Sequence, residues 1–273
     1  MNQNKIEEIR KTISAFTEAY PITFDGRRHK YRLEGKACAG VSSISDYRPI
    51  PWLKFWSAKM VIEFLSDKLP IVRGKDYTEK EWQELLAEAK KQHTQRSKNA
   101  LDIGTKVHDW IEQHIKGKDL KITAEIKNPI QEFLKFEKEH KVAWILSEQI
   151  VSSFQHKVAG RVDSLAEVNG KITVVDLKTS SHIDEGYFLQ TAGYQMCLEE
   201  MGVKVEQRII LRLPKTEGDK FEAVLVETDY EMDKKAFLNL RYAWQWANYV
   251  DSQFKEEVIV NGYKQKQLRL KKI

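Results

Sequence analysis

Up to about residue 140 the apolar positions fall three or four residues apart, and beyond it they alternate with polar ones, so helices give way to strands part-way along the chain. A short amphipathic helix is predicted over residues 5–20, stopped by Pro21, with strands at Ile22–Gly26 and Tyr31–Gly35 forming a hairpin-like entry segment. Between Pro51 and Leu69 the residues Trp52, Leu53, Phe55, Trp56, Met60, Ile62, Phe64 and Leu65 recur near helical spacing. A highly charged helix follows from Tyr77 to Leu101 and carries Lys90, Lys91, His93, Arg96 and Lys98. Gly104-Thr105 opens another through Val107, Trp110, Ile111 and Ile115, and Pro129 begins one that reaches His140. Strands are then predicted at Trp144–Val151, Lys157–Val168 and Lys171–Lys178, a helix from Asp184 to Met201, strands at Val205–Leu213 and Phe221–Glu227, and a long helix from Met232 to Phe254. Strands grouped between helices indicate an α/β or α+β core, and a basic tail from Lys264 to Lys272 follows it.

Asn169-Gly170 separates two of the strands, and both positions accept positive φ, as a two-residue type I′ turn requires. Pairing then starts with Val168 opposite Lys171, and equal steps back along both strands bring Asp163 opposite Asp176. Opposed side chains sit roughly 4.5–5.5 Å apart at Cβ, where two like charges destabilise a sheet unless something neutralises them. A divalent cation does so naturally, and Mg²⁺ suits a partly open carboxylate pair because hard cations take oxygen ligands and keep several waters. Strand alternation puts Lys178 on the face of Asp176, within reach of a phosphate. A plainer explanation competes, since aspartates near strand ends often cap turns or pair with lysine on a solvated face.

The 273 residues, 41% hydrophobic and 31% charged, suit one ordinary domain with additions. Cys38 and Cys197 stand alone, which excludes a disulfide framework and any four-cysteine zinc or iron–sulfur site. Without a membrane-length apolar run or a basic-then-apolar start, the expected location is the cytoplasm. The net charge of +5 favours a polyanionic partner only mildly.

Gly160-Arg161-Val162-Asp163 and Val174-Val175-Asp176-Leu177-Lys178-Thr179-Ser180 together resemble the acid and acid-x-lysine signature of the PD-(D/E)XK nuclease superfamily. Gly104-Thr105-Lys106-Val107-His108 resembles the Gly-Thr-x-x-His helix of its RecB-like exonuclease branch, Gln190-Thr191-Ala192-Gly193-Tyr194 resembles that branch's Gln-x-x-x-Tyr motif, and Glu148 matches its upstream acid. The run His29–Gly35, with Val41-Ser42-Ser43-Ile44 and residues 52–56, looks like the lead-in of phage-encoded members. Relatives with an iron–sulfur cluster need four cysteines, so the similarity is to the cluster-free group.

The resemblance implies a restriction-endonuclease-like core: a central mixed β-sheet flanked by helices over residues 104–273, with residues 1–103 as a strand and helical region forming part of a DNA channel. It implies that His108, Asp163, Asp176 and the Leu177 carbonyl hold Mg²⁺, replaceable by Mn²⁺, that Glu148 is an outer or second-metal ligand, and that Lys178 assists the attacking water. Gln190 and Tyr194, four apart on one helical face, would hold the DNA backbone or orient Lys178 and Asp176. Arg161, Arg96 and Lys98 are candidate phosphate contacts, although a solvated charged face explains the latter two almost as well. The implied activity is exonucleolytic hydrolysis of DNA in recombination, repair or phage genome processing, inside a bacterial or phage-infected cell. Alternatives are an endonuclease on the same core or a silent DNA-binding subunit. A single-strand annealing or recombination protein and a second copy of the chain are the conceivable partners. No Gly-x-x-x-x-Gly-Lys-[Ser/Thr] sequence is present, so the chain carries no such nucleotide-driven motor.

Overall fold

The Asn169-Gly170 turn forms with both residues left-handed, φ 51° and 81°, and sets the centre of the molecule. In the structure, a computed structural model describing residues 3–118, 120–260 and 263–268, this turn joins β5 (Val158–Val168) to β6 (Lys171–Lys178). Val168 lies opposite Lys171 and Ser164 opposite Val175, the register read from the sequence. The strand β4 (Ala143–Ser153) pairs antiparallel with β5, while β7 (Gln207–Arg212) runs parallel to β6 and carries β8 (Glu222–Leu225) on its outer side. Residues Ile172–Leu177 are buried without alternation, as expected of a central strand covered on both faces.

An N-terminal meander of β1 (Ile22–Asp25), β2 (Lys30–Leu33) and β3 (Lys36–Gly40) joins the same sheet. Its last strand runs parallel to the start of β5, Ala39 opposite Val158 and Gly40 opposite Ala159. Because β4 occupies one edge of β5 throughout, β3 and β6 share the other, and residues 160–163 lie in the split between them. The result is an eight-stranded mixed sheet between helices, the restriction-endonuclease-like architecture expected.

One face is covered by α1 (Gln3–Ala19), the short α2 (Val41–Ser45), α6 (Gly186–Glu200) and α7 (Tyr230–Phe254), which close over Val162, Leu165, Ile172 and Val174. The other is covered by α4 (Glu79–Ile115) and α5 (Lys127–Glu139), whose Val107, Ile111, Ile130, Phe133 and Phe136 pack on Ala166, Val175 and Leu177. Each fully buried side chain of this size contributes about 1.5–3 kcal/mol. The remaining helix, α3 (Trp52–Val72), packs on α4. No helix among the described residues is long and apolar enough to cross a membrane.

Several boundaries differ from the pattern. Gly104-Thr105 opens no new helix, because α4 continues through residues 103 and 104 from a Thr78–Glu81 capping box at its start. Gly104 sits inside that helix at a close approach to the sheet, where a Cβ would lie 3.1 Å from Thr179 Oγ1 just after β6. The strand β3, the helix α2 and a C-terminal ribbon of β9 (Lys255–Val260) and β10 (Tyr263–Leu268) were not legible as elements. The tail read as a biased basic stretch thus supplies a strand as far as Leu268, and residues 269–273 lie outside the described residues.

Candidate metal centre

The split in the sheet is where the predicted acids meet. Pairing of β5 with β6 stops at Ser164 and Val175, which leaves the Leu177 N–H without a strand partner; Asp163 Oδ2 accepts it at 2.7 Å. One step further along the same register, Asp176 is fully buried. Lys178 Nζ stands 2.7 Å from Asp176 Oδ2, yet neither Asp176 oxygen receives a well-directed hydrogen bond. Burial pushes the Asp176 carboxyl up to about 6 against the opposing pull of Lys178, and the Asp163 charge adds to the rise. Burial opposes the charge on Lys178, but Asp176 and Asp163 outweigh it and hold the ammonium above its ordinary value. The Tyr187 ring lies 4.7 Å from Lys178 Nζ and supplies a cation–π contact.

On the other side of Asp163, a bulge between Trp144 and Leu146 shifts β4 by one residue, and the ladder skips Glu148. Glu148 is held at φ 50°, a left-handed conformation that costs a non-glycine residue about 1–3 kcal/mol. That distortion aims its carboxylate at His108, with Nδ1 to Oε1 at 3.3 Å, while Arg161 Nη1 stands 3.8 Å from Oε2. His108 Nδ1 is also 3.7 Å from Asp163 Oδ1. Burial disfavours the imidazolium, but Asp163 and Glu148 together override it and raise His108 to about 9.

One donor atom from each of His108, Glu148 and Asp163 falls within a span of 4.8 Å, close enough to share a single cation. An imidazole with carboxylate oxygens is a donor set for a divalent metal, and the Asp176 oxygens next to it, although beside the Lys178 ammonium, have no hydrogen-bond donor directed at them. Asp176 lies outside that three-residue group, its carboxylate engaged by Lys178.

Tyr194 on α6 is 4% exposed, and Gln190 Nε2 donates to its Oη at 3.0 Å. Its ring rests on the backbone of β5 at Gly160, where a Cβ would come within 2.8 Å of Tyr194 Cε1. Gln190 and Tyr194 therefore share a face as expected and reach the cleft as a bonded pair. Burial lifts the Tyr194 hydroxyl well above its usual range, so it stays protonated and keeps a proton to donate while its oxygen accepts from Gln190.

Apart from the fully buried Asp176, these side chains line a cleft of about 880 Å³, and Lys98 is not among the residues lining it. Lys98 is exposed on α4, and the Arg96 side chain lies outside the described residues. Phe24, His29 and Tyr31 of the first hairpin, and Lys215 after β7, do line it and were not anticipated. Only the parallel pairing of β3 with β5 brings the hairpin there, and short-range sequence patterns do not encode that.

The sequence model of the PD-(D/E)XK nuclease superfamily matches residues 121–258, half of the chain. The chain belongs to this superfamily. The match covers Glu148, Asp163, Asp176, Lys178 and the Gln190–Tyr194 pair, whereas His108 precedes it. A search of curated proteins returns no match. Membership in the PD-(D/E)XK superfamily and the His108–Glu148–Asp163 cluster agree on a metal-dependent nuclease.

Proposed function

We propose that the chain is a DNA exonuclease that hydrolyses phosphodiester bonds from strand ends, with Mg²⁺ as its working cation and Mn²⁺ as a substitute. The observation that carries this reading is the convergence of His108, Glu148 and Asp163 beside a buried, poorly satisfied Asp176–Lys178 pair. His108, Asp163, Asp176 and the Leu177 carbonyl are the residues that would hold the ion, with Glu148 at its margin. Such a cation supplies Lewis acidity: it lowers the pKa of water and stabilises charge on a phosphodiester oxygen.

The chain's own groups do the rest. Lys178 keeps its proton between Asp176 and Asp163 and donates to a non-bridging oxygen of the scissile phosphate, where negative charge grows in the transition state. Tyr194, with its oxygen already accepting from Gln190, has its hydroxyl proton free for a phosphate or for an acid of the cluster. Arg161, 42% exposed beside Glu148, neutralises a neighbouring phosphate. The setting that fits is recombination, repair or phage DNA processing in a bacterial or phage-infected cytoplasm, alongside an annealing protein or a second copy of the chain.

End-labelled linear duplex and covalently closed circular DNA, digested side by side with Mg²⁺ or Mn²⁺, test the reading. An exonuclease shortens the linear DNA and leaves the closed circle intact. Nicking of the circle would make the chain an endonuclease on the same core, and binding without nucleotide release would make it a DNA-binding subunit.

A further inference from the structure

The hairpin that reaches the cleft carries more than its lining residues. Its turn and the first residue of β2 read Gly26-Arg27-Arg28-His29-Lys30, with four consecutive basic or imidazole side chains, all exposed. The backbone that presents them is fixed. Asp25 Oδ1 accepts from the N–H groups of Arg27 and Arg28 at 3.1 and 3.3 Å, and His29 takes the left-handed φ of 51° that closes the turn. Arg28 Nε is 3.9 Å from Asp25 Oδ2 with the arginine 76% exposed, a pairing too solvated to hold the guanidinium in place.

The same hairpin is tied to the metal centre by a stack. Arg161 lies over the Phe24 ring at 4.9 Å while reaching toward Glu148, and Phe24 in turn packs on Tyr31 at 4.7 Å and on His29 at 5.3 Å. The basic turn therefore stands at the rim of the cleft whose floor holds His108, Asp163 and Lys178. Positive charge on a rigid turn, next to an acidic cation site, is arranged for a polyanion that passes the turn and ends at the cation.

We propose that the β1–β2 turn is a phosphate grip: Arg27, Arg28 and Lys30 hold the sugar-phosphate backbone of the strand whose terminal phosphodiester occupies the cleft. This inference rests on the nuclease reading for the identity of the polyanion. It places the main backbone contact on the N-terminal hairpin and assigns a lesser one to the basic stretch of α4. Its recognition is of charge spacing, without base sequence, so it serves single strands and duplex ends alike.

The test is the salt dependence of DNA binding, measured by fluorescence anisotropy in EDTA so that no hydrolysis intervenes. A labelled 20-nucleotide single strand and the matching duplex are titrated with the full chain between 50 and 300 mM KCl. Each phosphate contact contributes roughly 0.7 to the slope of log K against log salt for a single strand and roughly 0.9 for a duplex. In R27Q/R28Q/K30Q the slope should fall by about 2 on the single strand and about 2.7 on the duplex, with affinity at 100 mM salt down at least tenfold. The comparison variant K90Q/K91Q/K98Q should change the slope by less than one contact's worth. A hairpin variant with the slope of the wild type, a larger loss in the α4 variant, or a wild type that binds neither DNA at 50 mM KCl would each overturn the grip. Failure of the nuclease reading shows separately, as absence of nucleotide release with Mn²⁺ by a wild type that still binds with a steep slope.

Discussion

Glu148 holds a left-handed φ that its neighbours in sequence do not suggest, and its carboxylate meets His108 across the cleft. His108 should make the metal-free protein sensitive to pH in a defined window. Its folded value of about 9 lies above the ordinary 6.5, so the ion pairs it forms stabilise the fold fully below pH 6.5 and fade as pH rises through 9. The shift corresponds to about 3 kcal/mol at most. Asp176, raised to about 6, acts earlier: stability is lost between pH 3.8 and 6 as it ionises, and nothing more above that. In EDTA, melting temperature should therefore decline between pH 6.5 and 9, and His108→Gln should flatten that decline. A profile just as steep in the variant would remove His108 as its source. For the reaction, Lys178→Ala and Asp163→Ala should each lower nucleotide release by at least a hundredfold while circular dichroism remains native. Full activity in either variant takes that residue out of the chemistry. The left-handed φ of Glu148 had no sequence signature, because it occurs where the long-range β4–β5 ladder skips one residue, between the Ser147–Ser164 and Gln149–Val162 pairs.

At the scale of elements, the hairpin of β5 and β6 was legible almost residue by residue, since a turn dipeptide and strand alternation fix its register locally. The close approach of α6 to β5 was not. Gly160 permits it, and Gly160→Ala should press a methyl group against the Tyr194 ring and against Val41, each of which lies 2.8 Å from where the added Cβ would stand. Overpacking of this kind costs about 1–3 kcal/mol. Urea unfolding measures the loss, and a variant as stable as the wild type would show that α6 yields without penalty. The continuous helix α4 was divided in two by the pattern because a glycine read as an opening, whereas its small size serves contact with Thr179. The sequence between β9 and β10 holds a second Asn-Gly dipeptide, at 261–262, outside the described residues.

For the molecule as a whole, cation binding and folding are linked, because carboxylates crowded together repel until an ion joins them. Mn²⁺ at a hundred times its dissociation constant stabilises the folded state by about 2.7 kcal/mol, which raises the melting temperature by roughly 5–10 °C. Asp163→Ala should abolish that rise, and an undiminished rise in the variant would place the ion elsewhere. The sequence division at residues 103 and 104 falls inside α4, and the strands before it belong to the central sheet. Cutting there would strip β3 from β5 and leave backbone amides and carbonyls bare at residues 158 and 159, on a strand rich in valine and leucine. Such an unprotected border recruits other chains by edge-to-edge pairing, so a shortened protein would be expected to precipitate before its enzymology were measured.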